Sequence, residues 1–118
     1  MRVVNRHQVE KLPVTNPLFT GDVSIQLLLP DSKEFTVNVV HFGKGVRNKF
    51  HTHSDEQILI VTSGKGIIAT DTEQKEIIEG DVVIIPANEK HWHGAAADSE
   101  FSHIYISKPG SEMAQLEK

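Results

Sequence analysis

The chain has 118 residues, of which 38% are hydrophobic and 24% charged, with a formal net charge of -4. That length and balance describe one globular domain with a single core and exclude a disordered chain. The absence of a Lys/Arg cluster argues against nucleic-acid binding, no apolar run reaches the ~20 residues of a membrane helix, and with no cysteine any metal must be held by nitrogen and oxygen.

Residues 1–20 read as an irregular arm, because Pro13 and Pro17 discourage regular structure. The segment MRVVNRHQVEKLPV is charged throughout and has no apolar signal core, which predicts a cytoplasmic location. Short apolar runs follow at 23–29, 35–42, 56–62, 66–70, 76–80, 81–86, 91–97 and 101–107. They are separated by turn chemistry: Pro30-Asp31-Ser32, Gly43-Lys44-Gly45, Ser63-Gly64-Lys65-Gly66, Asp71-Thr72-Glu73 and Pro86-Ala87-Asn88. Val- and Ile-rich strands at this even spacing predict an all-β sandwich or barrel over 21–108. The tail, 109–118, opens on Pro109-Gly110, and its SEMAQLEK is compatible with a short, frayed helix.

His51 and His53 are two residues apart, as are His91 and His93. Residues so spaced on a strand share a face, so each pair turns two imidazoles to one side of a sheet. Gln57 belongs to the next strand, and a hairpin brings it back to the first pair. Its neighbour Glu56 has the opposite parity and points away. For one histidine, a surface or hydrogen-bonded core position is the ordinary explanation. Several ligand-type residues converging in this way favour a metal site.

The spacing Gly45, His51, His53, Gln57, Gly64 and then Gly80, Pro86, His91 resembles the two motifs of the cupin superfamily. The resemblance implies a single jelly-roll β-barrel with metal ligands His51, His53, Gln57 and His91. Asn88 stands where the second motif usually has Gly, a mild change because Asn tolerates the left-handed conformation. Ala95 stands where it usually has Asn. Three imidazoles and one neutral amide suit one divalent transition metal, whether Mn, Fe, Co, Ni or Zn, with one or two positions left open.

His93 shares the face of His91, and Phe101, His103, Tyr105 and Ser107 share another. The strand period sets His93 about 6–7 Å beyond His91, too far to share the metal, so His93 and His103 are the candidate acid/base pair. The stretch through HWHGA at 91–95 is similar to small cupins with a three-His, one-Gln site. Some of these are manganese-dependent hydroxynitrile lyases, and others accompany carboxymuconolactone decarboxylase-like proteins. By this resemblance Asn38, Val40 and Ser107 line the cavity, and manganese is the expected metal. Lys49 is expected to face solvent. Trp92, opposite His91 in parity, is expected outside the barrel as an anchor of a homodimer.

Three functions are open at this level. One is lyase or isomerase chemistry on a small organic substrate, with the metal as Lewis acid and a histidine as base. The second is a metal-dependent oxygenase, and the third is a non-enzymatic small-molecule-binding barrel.

Overall fold

The computed structural model describes all residues, Met1–Lys118. Ten strands follow one 3-10 turn at Arg6–Gln8: β1 Leu12–Pro13, β2 Val23–Leu27, β3 Thr36–Phe42, β4 His51–His53, β5 Gln57–Ala69, β6 Gln74–Ile78, β7 Val82–Ile85, β8 Trp92–Ala95, β9 Phe101–Ser107 and β10 Met113–Gln115. The main sheet runs β1-β2-β3-β9-β5-β6, with β7 and β8 also paired to β5. Every pairing is antiparallel. The chain is all-β, as its strand pattern predicts, and forms the jelly-roll barrel that the cupin resemblance implies.

Strand β5 departs from the expected pattern. Ser63-Gly64-Lys65-Gly66 reads as a turn, yet the strand continues through it. A bulge between Val61 and Ser63 and a left-handed Gly64 (φ 74°) bend the strand without ending it. Before the bend β5 pairs with β7 and β9; beyond it, with β6 and β8. Gly64 is required twice over, since a Cβ there would strike the Glu100 carbonyl.

The tail is also corrected: residues 113–115 form β10, not a helix, and pair with 51–53. A short helix has too few internal bonds to hold itself, whereas β4 offers a free edge. Leu116 N–H donates to the Phe50 carbonyl, and Glu117 accepts the Phe50 N–H and pairs with Arg47 at 2.7 Å. The arm is not wholly irregular either, since it contributes β1, and Gln26 Nε2 donates to the carbonyls of Arg6 and Val9.

Alternation sorts the two faces of the sheet. Val23, Val40, Phe42, Val61 and Phe101 point inward and form the core with Ile77 and Ala95. On the opposite face, Val39, Ile104, Ile60 and Val82 make one cross-strand row, and Val37, Ile106, Ile58 and Ile84 the next, with Val39 fully buried. Val82 and Ile84 are 66% and 56% exposed.

Candidate metal centre

The two histidine pairs meet across a short antiparallel bridge. His51 N–H donates to the His91 carbonyl and His91 N–H to that of His51, at 3.0 and 3.1 Å. This sets the two imidazoles side by side, with ring centroids 4.3 Å apart and the planes tilted by 53°. The loop after β7 is tied to the same strand: Asn88 is left-handed (φ 66°), as its residue type predicts, and its N–H donates to the His53 carbonyl at 2.7 Å. Gln57 opens β5, is buried, and lines the same cavity as His51 and His53. Glu56 is exposed, as strand parity requires.

Main-chain carbonyls set the tautomers. His51 Nδ1–H donates to the Lys49 carbonyl at 2.6 Å and His91 Nδ1–H to that of Glu89 at 2.8 Å. Each ring therefore keeps its lone pair on Nε2, the form a metal requires. Lys49 is half-buried and serves through its carbonyl.

Five buried side-chain polar atoms have no hydrogen-bond partner: His53 Nε2, Gln57 Oε1, His91 Nε2, His93 Nδ1 and His103 Nε2. Unpaired buried polar groups are costly and rare. Their concentration at one place is what a metal and a polar ligand would satisfy, so the residues fit a bound divalent ion.

His51, His91 and His93 each offer a donor atom, all within 4.8 Å of one another, and form a three-His group able to hold a metal ion. His93 thus lies nearer than strand spacing suggests, because its ring stacks on that of His91 with centroids 5.9 Å apart. The ring of His53 is closer still, at 4.8 Å from His51 and 5.6 Å from His91. His103, on β9, faces the interior, with its ring 4.9 Å from that of His93.

A cavity of about 320 Å³ opens beside these rings, within the range of small-molecule sites. Phe42, Val40 and Tyr105 form its apolar wall, and Ser107 lines it as expected. Asn38 is set back, donating to the Tyr105 hydroxyl at 2.8 Å. Sequence reasoning missed Asn48, which is buried against His93, and the tail residues Ser111 and Met113, which complete the wall. Trp92 lies outside the barrel, but Arg47 covers its ring at 4.6 Å, so it is no bare anchor. His41 bonds Gln26 on the outward side and takes no part in the site.

Burial lowers the pKa of every histidine here: His51 to about 3, His53 and His103 to about 4, with His91 and His93 also below their ordinary value of 6.5. The unfolded chain takes up protons below 6.5 that the folded chain refuses. Stability from these groups is therefore complete above pH 6.5 and is lost as the pH falls toward 4. Between pH 7 and 5, His51 and His103 should each cost on the order of 2 kcal/mol. The denaturation midpoint of metal-free protein should drop over that interval; a constant midpoint would contradict it.

A jelly roll with imidazoles clustered in its interior defines a cupin, and the chain belongs to that family: residues 38–107 match the Cupin domain. It is similar to the (R)-mandelonitrile lyase of Granulicella tundricola, at 41% identity over 93 residues, covering 76% of this chain and 71% of the relative. A cupin-like protein of Thermotoga maritima is 35% identical with a TM-score of 0.82, over 100% of this chain and 90% of that one. The polyketide cyclase RemF of Streptomyces resistomycificus has a TM-score of 0.83 at 17% identity, over 100% and 88% of the two chains, a likeness of fold alone. No helix is long and apolar enough to cross a membrane.

Proposed function

We propose that this protein is a metal-dependent lyase that cleaves cyanohydrins, with His51, His53, Gln57 and His91 holding one divalent ion and His93 and His103 acting on the substrate. The observation that supports it most is that His93 and His103, two residues lining the cavity beside the donor cluster, each keep a buried ring nitrogen without a partner, Nδ1 and Nε2 respectively. The 41% identity to a mandelonitrile lyase names the substrate class to try first.

The bound metal would supply Lewis acidity toward a substrate oxygen. Manganese is our choice of ion, on the resemblance to the hydroxynitrile lyase cupins. The protein's own part is proton movement. The hydroxyl proton passes to an imidazole, the C–O bond becomes C=O, and the bond to the nitrile carbon breaks with its electron pair on cyanide. Cyanide then takes a proton and leaves as HCN. No oxidant enters, so benzaldehyde release from mandelonitrile should proceed equally in air and under nitrogen. Oxygen-dependent turnover would favour an oxygenase, and no turnover in either atmosphere would sink the lyase reading.

Gln57 makes the donor set neutral. Gln57→Glu should tighten metal binding by partial charge compensation while lowering Lewis acidity and turnover. Weaker metal binding in this variant, read by competition with a chelator, would argue that Gln57 is not a ligand.

We also propose a homodimer, formed through the β7 end of the aliphatic rows that cross β3, β9, β5 and β7. Exposed Val82 and Ile84 continue rows that no part of the chain covers at that end, and a second copy would bury them and protect the sheet edge. Sedimentation at micromolar concentration should give the dimer mass; a monomer would contradict it.

A further inference from the structure

Asn48 is almost fully buried and touches His93 three times. Its N–H donates to the His93 carbonyl at 2.9 Å, and the His93 main-chain N–H donates to Asn48 Oδ1 at 2.8 Å. The second bond fixes the amide, since only oxygen accepts from a main-chain N–H. The other end, the Nδ2 amino group, then faces His93 Nε2 at 3.3 Å. An amide nitrogen only donates. His93 Nε2 must therefore bear the lone pair, and the proton of the neutral ring sits on Nδ1. That atom is buried and unpartnered, on a residue lining the cavity.

His103 is set the other way round relative to the cavity. Its Nδ1–H donates to the Ile104 carbonyl at 3.2 Å, so the lone pair is on Nε2, which is the unpartnered atom.

We propose that Asn48 is a positioning residue that holds His93 in the Nδ1–H tautomer, making His93 the hydrogen-bond donor of the site and His103 its base. The catalytic part of this rests on the lyase reading; the tautomer does not. Two consequences follow. A nitrogen that keeps its proton cannot ligate a metal, so among the histidines ligation falls to His51, His53 and His91, beside Gln57, with His93 left beside the substrate. In cleavage, His103 Nε2 takes the hydroxyl proton, the C–CN electron pair leaves as cyanide while His93 Nδ1–H hydrogen-bonds to it, and His103 returns the proton to give HCN. Proton and charge balance without His93 ever losing its own.

The test is nitrogen-15 NMR of the full-length protein, metal-free and zinc-loaded, using ring carbon-proton to nitrogen correlations to find which nitrogen bears each proton. Both His93 and His103 should be protonated on Nδ1 in the wild type. In Asn48→Asp, a carboxylate oxygen accepts Nε2–H, so the His93 proton should move to Nε2. Mandelonitrile kcat in that variant should fall at least about tenfold with KM little changed, as for loss of a transition-state donor. A wild-type His93 protonated on Nε2, or a tautomer unmoved by Asn48→Asp, overturns the proposal. The wild-type spectrum decides even if the variant fails to fold. An Nδ1–H tautomer in a protein that never cleaves cyanohydrins would sink the lyase reading and leave the role of Asn48 in setting the tautomer standing.

Discussion

Replacing His51 or His91 by alanine should remove stoichiometric metal and, with it, all metal-dependent turnover. These two residues are joined by mutual main-chain hydrogen bonds, and a carbonyl accepts from each Nδ1–H so that the lone pair stays on Nε2. Loss of either removes a nitrogen ligand that no neighbour can replace from the same place. His53 is the less rigid member of the set, being only half-buried, so His53→Ala should weaken metal binding less severely. Elemental analysis after dialysis reads all three. Full occupancy in both His51→Ala and His91→Ala would remove the metal centre from the account. Both side chains are nearly fully buried, so folding of each variant must be checked independently by circular dichroism.

His93→Ala should give the opposite pattern, with metal retained and turnover reduced by about 10²–10⁴-fold, the usual worth of a positioned acid–base or donor group. The ring stacks on His91 and lies against Phe42 and His103, so its removal opens space inside the barrel without touching the main-chain bonds that set His51 and His91. If the metal is lost with His93, the trio of His51, His91 and His93 is the binding set, and the tautomer held by Asn48 does not exclude ligation. Unchanged turnover would make His93 structural and leave the chemistry to His103 alone.

What could be read from the chain, and what could not, follows the range of the interactions. The parity of His51 with His53 and of His91 with His93 is local, and so is the left-handed conformation of Asn88. Both survive into the fold because nothing distant competes with them. The exposure of Glu56 beside a buried Gln57 follows from the same alternation. Gly64 misled because a glycine at positive φ serves a turn and a bulge equally. Only the pairing of β5 with β9 on one side and β6 on the other decides between them. The tail misled for a similar reason: SEMAQLEK has helical residues, but the free edge of β4 and the Arg47–Glu117 pair override that preference. Asn48 was invisible. Its partner is 45 residues away, and no local pattern marks an amide that will meet an imidazole across a barrel.

The central claim is that one metal per chain, beside the histidine pair, supports cyanohydrin cleavage. The most direct measurement is a titration of chelator-stripped protein with manganese under nitrogen, following benzaldehyde release from mandelonitrile. No turnover is expected without metal, then a linear rise on addition and a sharp break at one equivalent per chain. Cleavage that is indifferent to manganese and to every other divalent ion tried, or absent at full metal occupancy, would contradict it.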